Sequence, residues 1–419
     1  MRTFFVLNIL FLSLSLSMLG QTTKHVLFLG NSYTAVNNLP QIVASLAQNM
    51  GDSLVYNQNL PGGFTLQGHS TNSTSLSFIQ QGTWDYVVLQ EQSQKPSWPI
   101  TQVITEVFPY AKILCDSIRN ANPCATPLFY MTWGRKNGDA SNCPNWPPVC
   151  TYEGMDSLLN LRYCMMADSN DAYVSPVGAV WRYIRNNNSI NLYAADESHP
   201  SLAGSYAAAC TFYSLIFQKN PVLITENYGL DKDVAMDIRS AAKIIAFDSL
   251  SKWNVGKYIP EANFTSNQVF DSIIFTNKSV YANTYHWNFG DGNTSTLFEP
   301  HHKYLTGGNY HVYLEVSKCN QIDTTSLDIQ VLPTLIKKIK HINVEVFPNP
   351  IENEINIKTD KAYQISNINI ISIEGKLIES FDSIEGKSIK LRTQKLSSGI
   401  YILNFEIEGK THHYRIIKK

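Results

Sequence analysis

The sequence predicts an α/β domain built on a parallel sheet, followed by two small all-β modules. Three observations carry that prediction. Between residues 24 and 250, short apolar runs alternate with amphipathic stretches of helical period. After Ile259 the helical period disappears and apolar and polar residues alternate one by one, as in Asn309–Val316 (NYHVYLEV). From Val344 to Lys419 the chain again reads as strands, punctuated by Glu-Gly pairs. Strands alternating with helices imply a parallel sheet covered on both faces. Strict alternation implies half-buried strands of a sandwich.

The elements follow in order. Residues 1–20 read as a signal peptide: Arg2 supplies a positive start, Phe4–Leu16 is apolar, and Ser15, Ser17 and Gly20 are small residues near a cleavage point. The apolar run is shorter than the roughly 20 residues of a membrane span, and none like it follows, so no transmembrane segment is expected in the mature chain. His25–Leu29 (HVLFL) is a buried strand pattern, followed by a helix over Asn38–Met50. Further strands are expected at Leu54–Gln58, Tyr86–Gln90, Pro127–Thr132 and Ala172–Ser175. Helices are expected at Val103–Asn120, Glu153–Ala167 and Leu202–Gln218. In such sheets ligands bind beyond the carboxyl ends of the strands, so chemistry is sought in the residues just after them. In the second part, Gly290-Asp291-Gly292-Asn293 reads as a hairpin turn. A linker with Pro333, Lys337, Lys338 and Lys340 leads to the last module, with turns expected at Glu374-Gly375, Glu385-Gly386 and Glu408-Gly409.

Composition narrows the function classes. Hydrophobic residues make up 44% of the chain, enough for a sizeable core, and charged residues 16%, below the roughly 25% of an average soluble domain. The net charge of −1 gives no general attraction to nucleic acid or acidic membrane, so neither is expected as a partner. There is no HExxH, P-loop or GxGxxG pattern, so no metal and no cofactor is invoked. The seven cysteines lie in a chain read as exported, where disulfides form. Cys143 and Cys150 flank a short loop without a core of its own and are the first candidate pair. Cys115 with Cys124 is the second. Cys164 and Cys210 sit in apolar helical patterns and read as buried thiols.

Two segments carry candidate chemistry. The first strand ends in Gly30-Asn31-Ser32-Tyr33-Thr34, which places the Ser32 hydroxyl where strand passes to helix. Thr34 stands where a GxSxG elbow would have its second glycine, so an ordinary α/β-hydrolase is disfavoured. The second segment is Asp196-Glu197-Ser198-His199-Pro200, just before the last helix of the α/β region. A serine hydroxyl is a poor nucleophile until a base takes its proton. His199 suits that base, and Asp196 can fix its tautomer and stabilise the imidazolium. Pro200 suits the first turn of the next helix.

Together these segments resemble the SGNH (GDSL-like) hydrolase superfamily. GNSYT is similar to its first block, with Asn31 in place of the usual Asp, and DESHP to its last. Pro61-Gly62-Gly63-Phe64-Thr65 resembles the second block. The resemblance implies a flavodoxin-like three-layer αβα fold over residues 24–256 and a Ser32–His199–Asp196 triad. It further implies an oxyanion hole of the Ser32 and Gly63 backbone N–H groups, with Gly62 as the alternative to Gly63. The third block departs from Gly-x-Asn-Asp: Leu89-Gln90-Glu91-Gln92-Ser93 stands there, and Gln92 is nominated as the side-chain donor. Arg135 and Trp133, after the fourth strand, are candidate substrate contacts. Trp98 and Trp146 are weighed as sugar-stacking rings and His69 is read as a loop residue.

Residues 265–332 resemble a PKD domain, an immunoglobulin-like sandwich, through Trp287-Asn288-Phe289-Gly290-Asp291-Gly292, Pro300 and Tyr304. Residues 344–419 resemble the C-terminal sorting domain of the type IX secretion system, through Val346-Phe347-Pro348-Asn349-Pro350, Leu396–Tyr401 and the basic end at Arg415, Lys418 and Lys419. That resemblance implies handling by the type IX machinery of a Gram-negative bacterium, with release or surface attachment afterwards. The expectation is a secreted serine esterase acting on a small-molecule or polysaccharide ester, such as a carbohydrate O-acetyl ester. Its alternatives are a lipase- or thioesterase-like hydrolase and a non-catalytic glycan-binding surface protein.

Overall fold

A computed structural model describes residues 21–269, 272–332 and 342–419. The expected signal peptide and the Lys-rich linker lie outside the described residues. The first region runs β1 (Thr23–Leu29), α1 (Ser32–Ala35), α2 (Leu39–Asn49), β2 (Ser53–Asn59), α3 (Leu66–Thr71), α4 (Ser73–Gln80), β3 (Tyr86–Leu89), α5 (Ile100–Glu106), α6 (Phe108–Ala121), β4 (Thr126–Tyr130), α7 (Tyr152–Asp168), β5 (Tyr173–Ser175), α8 (Val177–Asn187), α9 (Leu202–Phe217) and α10 (Lys232–Ile245). Among the described residues its sheet has five parallel strands in the order β2-β1-β3-β4-β5. This is the flavodoxin-like order, which reverses direction beside β1, the place where such sheets generally bind ligands.

Side-chain alternation makes the three layers. Val26 and Phe28 of β1 face one way, packing with α2, α8, α9 and α10. Leu27 and Leu29 face the other way, packing with α4, α5, α6 and α7. All four are fully buried, and each such side chain contributes about 1.5–3 kcal/mol by leaving water. The helix expected over Val103–Asn120 is two helices, broken at Val107. Pro109 at the second position of α6 has no N–H to continue the earlier ladder, so the chain restarts there.

Cysteine pairing differs from expectation in one case. Cys143 pairs with Cys150, Cα atoms 4.7 Å apart. Cys124, however, bonds Cys319 across 195 residues, and Cys115 is a free buried thiol. Cys115 lies on the inward stripe of α6 with Ala111, Leu114 and Ile118, whereas Cys124 follows the helix end at the surface.

That long-range disulfide joins the α/β region to a β-sandwich of β6 (Phe264–Val269), β7 (Ser272–Asn277), β8 (Thr284–Asn288), β9 (Thr294–Ser295), β10 (His301–Lys303), β11 (Gly308–Lys318) and β12 (Gln321–Val331). Among the described residues its two sheets are β10-β7-β6 and β12-β11-β8-β9. Trp287 and Phe289 fill the core between them, and Gly290 and Gly292 take positive φ in the hairpin turn. Tertiary contacts divide the chain after Leu332, so the α/β region and the sandwich form one unit.

The other unit contains β13 (Val344–Phe347), β14 (Glu354–Ser372), β15 (Leu377–Phe381), β16 (Ile384–Arg392), β17 (Gly399–Ile407) and β18 (Lys410–Lys418). These pair antiparallel around the long β14 and β17 over an Ile-rich core. Glu374-Gly375 and Glu408-Gly409 are turns. Glu385-Gly386 is not a turn: both residues lie in β16 opposite Gln364 and Tyr363, because the chain has already reversed at Asp382-Ser383.

Candidate active site

Ser32 stands at the carboxyl end of β1, beside the point where strand order reverses. Asn31 is the N-cap of α1, its Oδ1 accepting from the Tyr33 N–H at 3.0 Å. Behind it Gln90, one residue past β3, completes a reciprocal amide pair. Gln90 Oε1 accepts from the Asn31 N–H at 3.0 Å and from the Thr34 hydroxyl at 2.8 Å. Gln90 Nε2 donates to Asn31 Oδ1 at 2.8 Å. A Cβ at Gly30 would meet Thr34 Oγ1 at 2.6 Å and Gln90 Oε1 at 2.8 Å, so a larger residue there would have to displace this network. The Asn at 31 also has a local reason. Its Nδ2 donates to the Phe64 carbonyl at 2.9 Å, where an aspartate would set oxygen against oxygen.

The second segment meets the first from the start of α9. Asp196 Oδ1 accepts from the backbone N–H groups of Ser198 (3.1 Å) and His199 (2.9 Å), folding the segment into a tight turn. Its Oδ2 lies 2.5 Å from His199 Nδ1, and His199 Nε2 lies 2.9 Å from Ser32 Oγ. With Nδ1–H donated to the carboxylate, Nε2 is left to accept from the serine hydroxyl. Partial burial works against the Asp196 anion, but hydrogen bonds from the His199 imidazole and the two backbone N–H groups hold its carboxyl below the usual range. Ser201, not Pro200, caps α9: its Oγ accepts from the Gly204 N–H, and Pro200 precedes the cap.

An aromatic column supports this turn. Trp133 Nε1 donates to the Ser198 carbonyl at 3.1 Å, and the Tyr33 and Ser198 hydroxyls are hydrogen-bonded at 2.5 Å. Tyr33 stacks on Trp133, which stacks on Trp181 at 3.6 Å between centroids. Trp133 is fully buried, so the expected substrate contact is corrected to a support beneath the turn. Tyr33, Ser198 and Gln90 carry no role in the sequence pattern alone, although the polar QEQSQ run directly after an apolar strand is a readable signal.

Gly62 and Gly63 form an exposed turn after β2, closed by the Phe64 N–H donating to the Pro61 carbonyl at 3.2 Å. Gly63 has φ +67, a left-handed conformation that favours glycine. Glu91 ties this turn to the residues after β3: its carboxylate accepts from the Leu66 N–H at 3.2 Å and the Gln92 N–H at 2.6 Å. Burial pushes the Glu91 carboxyl up to about 7, against those two bonds and the Lys95 charge. Gln92 is half-buried. Its Oε1 accepts from the Gln94 N–H at 2.8 Å and its Nε2 donates to Gln94 Oε1 at 3.1 Å. Arg135 is partly exposed, 3.4 Å from buried Asp139. Trp98 and Trp146 are half-buried, the latter donating to the Ser97 carbonyl.

His69 is not in a loop but on α3, fully buried. Its Nε2–H donates to the Gly30 carbonyl at 3.0 Å and its Nδ1 accepts from the Ser75 hydroxyl at 2.8 Å. Burial lowers its pKa to about 4, although the Gly30 carbonyl pulls the other way, so it serves as a neutral brace under the strand end.

Comparisons with known proteins agree with the modular layout. Residues 345–419 match the secretion system C-terminal sorting domain and residues 259–331 match the PKD domain. The sorting domain marks the chain for export to the cell surface or beyond, handled by the type IX machinery. Among the described residues no helix is long and apolar enough to cross a membrane. A 138-residue stretch is 31% identical to collagenase ColA of Clostridium perfringens, covering 31% of this chain and 12% of that protein's length. Among solved structures, a DUF4886 family protein of Bacteroides uniformis is 17% identical over 55% of this chain and 95% of its own, with a TM-score of 0.46. A candidate SGNH hydrolase of Slackia heliotrinireducens is 25% identical over 46% of this chain and 98% of its own, with a TM-score of 0.39. The PKD1 domain of the Vibrio cholerae metalloprotease PrtV is 33% identical over 17% of this chain and 96% of its own, with a TM-score of 0.17.

Proposed function

We propose that the α/β region is a serine ester hydrolase that works through an acyl-enzyme. The observation that carries this reading is the continuous Asp196–His199–Ser32 hydrogen-bond chain at the carboxyl edge of the sheet. Ser32 Oγ attacks the ester carbonyl while His199 Nε2 takes its proton, and Asp196 stabilises the imidazolium. The backbone N–H groups of Ser32 and Gly63, with the Gln92 amide, are the proposed donors to the oxyanion. His199 then protonates the leaving alcohol, and a water activated by the same imidazole releases the acid.

The polar rim favours a hydrophilic ester, and an O-acetylated carbohydrate is the proposed class. Next to the Asp196–His199 turn, Lys136 donates its N–H to the Glu197 carbonyl and Asn137 Nδ2 donates to the Glu197 carboxylate. Arg135 and the exposed Gly62-Gly63 turn add polar surface. The test is hydrolysis of a nitrophenyl acetate, together with a serine-reactive phosphonate and release of acetate from acetylated polysaccharides. The parent chain should turn over and be blocked by the phosphonate, and Ser32→Ala should keep the fold and lose the activity. Full activity in Ser32→Ala ends the proposal. An inert parent that still binds polysaccharide points to a glycan-binding module.

A further inference from the structure

We propose that Asp139, just before the loop closed by the Cys143–Cys150 disulfide, is a positioning residue that helps hold the orientation of the Gln92 amide through Gln94. This rests on the esterase reading above and adds the device that aims its side-chain oxyanion donor. Asp139 is fully buried and acts as a hub. Its Oδ2 accepts from Gln94 Nε2 at 2.8 Å and Asn142 Nδ2 at 2.6 Å. Its Oδ1 accepts from the Ser141 N–H at 3.2 Å and from Arg135 Nη1 at 3.4 Å. The backbone of Asp139 is anchored to the disulfide loop. Its N–H donates to the Val149 carbonyl at 2.7 Å, and its carbonyl accepts from the Cys143 N–H at 2.9 Å.

The argument is one of donor and acceptor parity. A carboxylate only accepts, so Gln94 must turn its Nε2 toward Asp139. Gln94 Oε1 therefore faces the other way, toward Gln92, and can only receive a donor. Gln92 answers with Nε2, while its Oε1 is held by the Gln94 N–H at 2.8 Å and the Lys95 N–H at 3.3 Å. Both oxygen contacts and one Nε2 hydrogen of Gln92 are thus committed. The second Nε2 hydrogen has no partner among the described residues. The two backbone N–H groups and the Asp139–Gln94 relay together hold this amide, and its remaining N–H is the donor proposed for the oxyanion. The same carboxylate pairs with Arg135, so Asp139 orders the Gln94 and Arg135 side chains at once.

The test is a cycle of Asp139→Asn, Gln92→Ala and the double variant, with Gln94→Met as a second entry to the relay. Gln94→Met removes the relaying amide but leaves Asp139 its bonds to Ser141, Asn142 and Arg135. Turnover of nitrophenyl acetate gives kcat and KM, and titration with the phosphonate counts intact sites. Asp139→Asn leaves one oxygen for four donors, so its amide nitrogen must face one donor pair and the hold on Gln94 loosens. Expected is a loss in kcat of roughly tenfold to a hundredfold at unchanged KM and full site titration, shared by Gln94→Met. The double variant should be no slower than Gln92→Ala alone, because both changes remove the same donor. The assignment is overturned if the losses multiply, if Gln94→Met matches the parent, or if Asp139→Asn only lowers the number of titratable sites. An inert parent overturns it together with the esterase reading, whereas an active parent with multiplying losses overturns it alone.

Discussion

The buried Glu91 carboxyl makes folding stability depend on pH in a direction opposite to that of most carboxylates. Burial raises its pKa from the ordinary 4.5 to about 7 in the folded protein, despite accepting two backbone N–H bonds. The folded state therefore binds the proton more tightly than the unfolded state. That stabilisation is fully present below about pH 4.5 and is lost as pH rises through about 7. A difference between 4.5 and about 7 corresponds to about 3 kcal/mol between pH 4 and 8. Glu91→Gln removes the titration. The amide still accepts one N–H but sets a donor against the other, a pH-independent penalty of about 1–3 kcal/mol. The informative quantity is thus the difference between variant and parent along the pH axis. In urea titrations of the unit spanning residues 21–332, the variant should gain about 3 kcal/mol on the parent from pH 4 to pH 8. The corresponding shift in melting temperature for a unit of this length is about 5 °C. Two curves that run parallel, separated by a constant offset, would refute the reasoning, because Glu91 would then titrate alike in both states.

Three further outcomes are expected. Asp196→Asn keeps the turn's geometry but favours the wrong imidazole tautomer, so kcat for ester hydrolysis should fall by about 10⁴ while the protein melts as before. Cys124→Ser or Cys319→Ser opens the cross-link between the α/β region and the sandwich, which are 195 residues apart at the bond, and should lower stability by about 2–5 kcal/mol in denaturant titrations. Deleting residues 344–419 should leave the chain in the periplasm of a host with type IX secretion, read by fractionation and immunoblot. Normal export of the truncated chain would contradict the sorting role.

The sequence by itself determined the layer plan. Apolar runs such as VLFL (Val26–Leu29) and YVVL are buried on both sides, and amphipathic helices lie between them. Local periodicity reflects which face of an element leaves water, so it is legible without knowing what packs there. The two segments bearing Ser32 and the Asp196/His199 pair were legible for the same reason: a strand end and a tight Asp-x-x-His turn are local features. Only the tertiary structure decided the rest. It alone brought Ser32 to within 2.9 Å of His199 across 167 residues. It turned Trp133 from a surface ring into a buried support and moved Cys124 from a neighbour to Cys319. It also revealed Glu91 and Asp139 as buried carboxylates that orient backbone and amide groups. Hydrogen-bond partners and burial depend on which distant segments converge, and a polar residue's pattern along the chain is the same whether it meets water or a buried amide.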